Sequence, residues 1–492
     1  MRRHSSIIRR FKHHAHALRL KYLRWQTAHL SQSMVLIIIS LVLGILTGAA
    51  AAVLKHLVRF ISWILLSDVV VDRPNIRLLI WPLLGILICS IYKRYVCVDN
   101  ITTGTRLIKD RLNNRHYRLS VFDIFNSIIG CSLTIGFGSS AGTEGPTALS
   151  GASIGTNVAR WFKLSESWRR LLLGIGGGAG IAAIFKSPIG GVLFTLEVLQ
   201  MEMTTLPIVA LILACLFSSA TAYWLSGFTF DISFMRVMPF EHTSLGWVLL
   251  LGVFCGLYSI YYNFTKRKSA NLFSSIRNPW LAAIISGGLM SIAVFLFPVL
   301  YGEGFNVITG LVNGHYISFT DSGIFAGHIG PWWLLISFLV VLLLKGILVA
   351  AAYSGGGIAG DFVPTFFAGA IAGALFCMTL NHFFGTDIPI WYFALIGMGC
   401  VMAGTIHAPL MSIFLLCETT NTYVYIFPYI LAILTSYFVV KIITPKAWYS
   451  ETGSDDVLAL MKLRQTPNLI FKKNTESAKK ASQSVKTEDN KQ

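Results

Sequence analysis

An all-α integral membrane protein, folded as two repeats of opposite orientation with broken, re-entrant helices, is the class this sequence predicts. Of its 492 residues, 54% are hydrophobic and 13% charged, with a mean hydropathy of +0.65, more apolar surface than a soluble domain uses. Uncharged runs of spanning length alternate with shorter apolar pieces, several opened by proline. A glycine and proline pattern near Gly142 returns near Gly360.

The first span runs from Ser33 to Val53, free of charge over the roughly 20 residues a helix needs to cross the hydrocarbon core. The basic stretch ahead of it is too long, and its apolar core too extended, for a cleaved signal peptide. Further runs follow at Ile76–Ile91, Val121–Phe137, Leu171–Phe185, Pro207–Leu225, Trp247–Phe264, Trp280–Leu300, Trp332–Tyr353, Trp391–Ile406 and Val424–Val440. Between them lie the shorter pieces Thr147–Phe162, Gly190–Met203, Pro364–Leu380 and Pro409–Cys417. Interrupted segments of this kind mark a site when they sit in a membrane.

The formal charge of +18 is not spread as a nucleic-acid face. Lys and Arg gather outside the apolar runs, at Arg2–Arg24, Arg106–Arg118, Lys266–Arg277 and after Lys462. This is the bias of cytoplasmic segments, so all four clusters and both termini are expected in the cytoplasm and the protein in the cell membrane. The organisation expected is a basic N-terminal segment over 1–32, a transmembrane domain over 33–450 with repeats roughly over 33–226 and 246–450, and a polar, partly disordered tail over 451–492. Cys131, Cys215, Cys255, Cys377, Cys400 and Cys417 fall in apolar runs and form no CxxC, which reads as core rather than metal ligation or disulfides.

The repeat is specific. Gly142-Thr143-Glu144-Gly145-Pro146-Thr147, then Gly151 and Gly155, returns 218 positions later as Gly360-Asp361-Phe362-Val363-Pro364-Thr365, then Gly369 and Gly373. At an offset of 221, Gly176 pairs with Gly397, Gly178 with Gly399, Ala182 with Ala403, Pro188 with Pro409 and Glu197 with Glu418. Such halves place a substrate site near the midplane where they meet.

A carboxylate inside a membrane is costly, which makes Glu144 the first functional candidate; a helix-capping role is the structural alternative. The glycines beside it allow close backbone approach, and Pro146 suits a helix's first turn. When the carboxylate swings away, the same helix N-terminus can bind an anion. The second copy supplies another positive helix end.

Gly142-Thr143-Glu144-Gly145-Pro146 resembles the motif G-[KR]-E-G-P, and Gly360-Asp361-Phe362-Val363-Pro364 the motif G-x-F-x-P, of the CLC chloride channels and chloride/proton antiporters. The resemblance extends over about residues 33 to 450. It implies a homodimer with one chloride pathway per subunit in the lipid bilayer. It also implies Glu144 as gate, with chloride held by Thr103, Tyr449 and the amides of Gly145, Asp361 and Phe362. Thr103 stands in Thr102-Thr103-Gly104-Thr105-Arg106 where the family has a serine, and Arg106 where it has proline. In Phe194-Thr195-Leu196-Glu197-Val198 the family's antiporters carry two consecutive glutamates; the second, the inner proton carrier, is here Val198. Proton-pathway candidates are therefore Glu144, Glu197 and Glu202. The reading is a glutamate-gated chloride channel of the voltage-gated type, with an antiporter lacking the usual inner glutamate as its alternative.

The run Gly174–Gly180 lacks the strand and helix context of a dinucleotide loop and reads as helix packing. Lys345, in an apolar helix, either raises the local anion potential, pairs with a carboxylate or snorkels. His407 reads as a helix-end residue. No HExxH, GxSxG or His/Asp pair falls at membrane depth, so neither an enzyme nor a cofactor is expected.

Overall fold

Ser31 starts the first helix, its hydroxyl accepting the Met34 amide at 3.3 Å. The computed structural model describes residues 31–67, 75–97, 101, 103–114, 117–229, 231–232, 234, 245–314 and 331–445. The basic N-terminal segment, the polar tail and Tyr449 lie outside these. In the first repeat the helices are α1 (Gln32–Leu66), α2 (Ile76–Tyr95), α3 (Gly104–Asn113), α4 (Phe122–Gly136), α5 (Glu144–Trp161), α6 (Glu166–Phe185), α7 (Pro188–Leu193) and α8 (Thr205–Leu225). In the second they are α9 (Leu245–Ser275), α10 (Pro279–Leu296), α11 (Phe305–Val312), α12 (Pro331–Ser354), α13 (Phe362–Phe384), α14 (Ile390–Ile406), α15 (Pro409–Thr420) and α16 (Ile426–Ile443).

Eight of the described helices are long and apolar enough to cross a bilayer. They sort into two layers. Outer helices turn Ile, Leu and Phe outward, as Ile38, Val42 and Ile45 do on α1. Inner helices are buried nearly all round: 78% of the most apolar window of α13 is covered by protein, against 33% for α2.

The repeat appears in the packing. Helix α1 lies on α8 as α9 lies on α16, and α5 on α6 as α13 on α14. At the inner crossings backbone meets backbone: Gly151 faces the Gly176 carbonyl and Gly369 the Gly397 carbonyl, while Gly155 and Gly373 face the carbonyls of Leu172 and Phe393. A Cβ at any of these four glycines would overlap the opposing main chain.

One expectation needs correction. Helix α9 extends past the apolar run to Ser275, and Lys266, expected outside the apolar run in a basic cluster, is 2% exposed inside the molecule. Its partner, described below, explains why. All the cysteines but Cys97 are buried. His407 ends α14 in the left-handed region at φ 63°, its Nε2 3.1 Å from the Thr444 carbonyl.

Candidate functional site

Three helix starts converge at the middle of the fold. Gly142 and Gly360, corresponding residues of the two repeats, exchange backbone hydrogen bonds at 3.0 and 2.6 Å in an antiparallel bridge. Two residues on, α5 begins at Glu144 and α13 at Phe362. The start of α3 completes the set: a Cβ on Gly104 would collide with the Gly145 carbonyl, and one on Gly145 would sit 3.4 Å from both the Gly104 nitrogen and the Gly360 Cα.

Glu144 is fully buried, and its carboxylate caps the opposite helix rather than its own: Oε1 accepts the Phe362 amide, the first N–H of α13. Oε2 is buried with no hydrogen-bond partner. The carboxylate occupies space that two glycines leave open, since a Cβ on Gly142 or Gly360 would fall on its oxygens. The glutamate side chain thus sits where the positive ends of helices point, and the same donors can receive a free anion once it leaves.

Thr103 is the N-cap residue of α3 without a side-chain capping bond, half-buried beside this convergence. Arg106 accommodates the helix where a proline would stand, because its amide donates to the Thr103 carbonyl at 3.2 Å. Asp361, named for its amide, also carries a buried side chain whose Oδ2 lies 2.8 Å from Lys266 Nζ. Sequence reasoning missed this pair; an acid beside the second glycine-proline motif was the available signal. Tyr449 lies outside the described residues.

Glu197 and Glu418 form a reciprocal pair of cross-repeat caps. Glu197 accepts the amides of Leu410 and Met411 at 3.2 and 2.7 Å, at the start of α15. Glu418 accepts those of Ile189 and Gly190 at 3.2 and 3.0 Å, at the start of α7, and the Ser187 hydroxyl. Glu197 is engaged as a helix cap on both oxygens. It lies in a π turn, Phe194–Val198, with Val198 buried. Glu202 is exposed beyond that turn.

A polar network leads away from the start of α5. Thr143 donates to Glu303 at 2.5 Å, and Glu303 lies 3.9 Å from Lys55, which reaches Asp231 at 3.0 Å. Lys186 and Arg59 also converge on Asp231, at 3.3 and 3.1 Å. Burial alone pushes the Asp231 carboxyl up, but the three cations prevail and hold it below its ordinary value. Lys345 donates to the Ser140 hydroxyl at 2.7 Å with its ammonium 4.1 Å over the Phe367 ring. It braces the loop that delivers Glu144.

Comparison with known proteins identifies the family and the fold. The family model described as voltage gated chloride channel matches residues 84–441. A putative chloride channel protein ClcB-like from Ralstonia nicotianae is 28% identical over 316 residues, 62% of this chain and 68% of the relative. The H(+)/Cl(-) exchange transporter ClcA of Vibrio vulnificus is 28% identical over 328 residues, 64% of this chain and 66% of the relative. In fold the chain matches the crystal structure of a slow cyanobacterial Cl-/H+ antiporter, with a TM-score of 0.70 at 23% identity, covering 88% of this chain and 99% of that one. With the family model matched across most of its helices, and the helix starts and buried glutamate arranged as its sequence motifs require, this chain belongs to the voltage gated chloride channel family, the CLC family.

Proposed function

We propose that this protein carries chloride across a lipid bilayer in exchange for protons, with Glu144 as both gate and proton acceptor. The observation that carries the reading is the Glu144 carboxylate seated on the Phe362 amide, an anion already held by the start of α13. Chloride and carboxylate compete for these donors. Protonating Glu144 removes the charge that holds it there, so proton binding and anion entry are one event. Thr103, Tyr449 and the amides of Gly145, Asp361 and Phe362 are the chloride ligands in this reading. Dipoles and hydroxyls there bind strongly enough to select and weakly enough to release. The relatives named as exchangers favour proton coupling. A homodimer in the cell membrane, both termini cytoplasmic, completes the proposal.

Val198 favours a second reading, a passive channel, because valine cannot carry a proton. Chloride efflux from liposomes holding the purified protein, with external pH followed together, separates the two for wild type and Glu144→Gln. Exchange is expected to drive protons uphill on a chloride gradient and to lose that movement in the variant. Chloride flux without proton movement in wild type, altered by the substitution, establishes the channel.

A further inference from the structure

Residues 137–143 join α4 to α5 and deliver Glu144, and residues 301–304, between a single 3-10 turn at Pro298–Leu300 and α11, are laid against them. Three hydrogen bonds join the two segments. The Tyr301 hydroxyl donates to the Gly136 carbonyl at 3.0 Å, the Gly302 amide to the Gly138 carbonyl at 3.3 Å, and the Thr143 hydroxyl to Glu303 Oε1 at 2.5 Å. Glycine makes the approach possible. A Cβ on Gly138, at φ 101°, would strike the Tyr301 ring, and Gly302 and Gly304, at φ 66° and 83°, turn the chain on either side of Glu303. Thr143 is fully buried and is the last residue before α5, yet its side chain makes no capping bond to that helix. Its hydroxyl is spent on a carboxylate from another element, a bond stronger than one between neutral groups. Glu303 is itself anchored, 3.9 Å from Lys55 of α1, whose ammonium reaches Asp231 at 3.0 Å and covers the Phe305 ring at 4.5 Å. Glu144, the next residue after Thr143, is by contrast seated through one oxygen on one amide.

We propose that Glu303 is a positioning residue for the Glu144 gate: by holding Thr143 it fixes the start of α5 where the Glu144 carboxylate reaches the Phe362 amide. The inference rests on the chloride reading above and holds for exchanger and channel alike. Thr143 and Glu144 are consecutive, so a shift of one moves the backbone from which the other reaches across to α13. The seat is a single hydrogen bond, and such bonds weaken as they lengthen and bend. With the tie to Glu303 cut, the carboxylate spends less time on Phe362, and the helix-end amides stand open to chloride more often. Tyr301 and Gly302 hold the other end of the same loop, which leaves Thr143 as the point where the hold meets the gate.

The test is chloride efflux from liposomes for wild type, Thr143→Val, Glu303→Leu, those two together, Glu303→Gln, and Thr143→Val in a Glu144→Gln background. Thr143→Val keeps the shape of the side chain and removes the donor, whereas Glu303→Gln removes the charge and keeps an acceptor. Gel filtration and thermal melting verify each protein. Thr143→Val and Glu303→Leu are each expected to raise efflux by about fivefold, and the double variant no further, because all three lose the same bond. Glu303→Gln is expected to stay within about twofold of wild type, and Thr143→Val to add nothing once residue 144 is glutamine. Efflux unchanged or lowered in Thr143→Val overturns the positioning role. So does an equal rise in Glu303→Gln and Glu303→Leu, which assigns the effect to charge, or a rise that persists in the Glu144→Gln background. Each of these leaves the chloride reading standing. Wild-type liposomes without chloride efflux overturn that reading and the positioning role with it.

Discussion

Glu144 and Glu418 perform the same task on opposite sides of the repeat boundary, and they differ in how completely they are satisfied. Each carboxylate caps a helix of the other repeat. Glu418 accepts two amides and a hydroxyl, and its mate Glu197 accepts two amides. Glu144 accepts one amide and buries its second oxygen without a partner. A saturated carboxylate is a staple, whereas an under-satisfied one is held loosely enough to leave. Asp361 is a third case, satisfied by the ammonium of Lys266. The proposed gate, the staples and the ion pair are thus distinguished by what the oxygens receive.

The largest expected effect comes from orphaning the ion pair. Lys266→Met alone leaves Asp361 buried without its cation and is expected to cost about 3–5 kcal/mol, read as a lower thermal midpoint in detergent. Adding Asp361→Leu is expected to restore most of it. If the single and double variants melt alike, the pair is not a unit.

Gly142→Ala comes next. The added methyl falls where Glu144 Oε2 lies, so the carboxylate is expected to be expelled at about 1–3 kcal/mol of stability, with chloride efflux above wild type. Efflux at or below the wild-type rate shows that the glycine is not the gate's socket.

The staples should then behave alike. Glu197→Gln and Glu418→Gln each weaken a charged cap, and each is expected to lower stability by about 0.5–2 kcal/mol. Effects that differ strongly between them break the symmetry on which the comparison depends.

The smallest effect concerns the outer network. The Asp231 carboxyl is held below its ordinary value of 3.8, chiefly by Lys55 and Lys186 working against burial. Its stabilisation is therefore full above that value and is lost as pH falls through the lowered one. Wild type is expected to lose more thermal stability than Asp231→Asn on acidification below pH 3.8. Parallel losses would remove Asp231 from the account.

Much of this was legible in the sequence because it is written in residues with few alternatives. Glycine at 142, 151, 360 and 369, proline at 146 and 364 and an acid at 144 place two broken helices, and the structure brings their starts together. The matching of Glu197 with Glu418 was visible too, but not that each caps the other's repeat. A carboxylate's partners here are backbone amides, which no residue type announces. Lys266 was misread because charge near an apolar run's end has the same composition whether the helix stops or continues. Only the position of Asp361 on another element decides it, and that juxtaposition is made by folding.

The bridge between Gly142 and Gly360 also bears on how fast the cycle can turn. It ties the two halves together through main-chain atoms beside the site. With the frame clamped there, the moving part in the proposed gating is a single glutamate side chain, rotating about its own bonds. Rocking one domain against another takes microseconds to milliseconds, a motion that this main-chain bridge between the halves opposes. In the proposed exchange cycle, the rate is then expected to follow the arrival of a proton or an anion and not the travel of the halves.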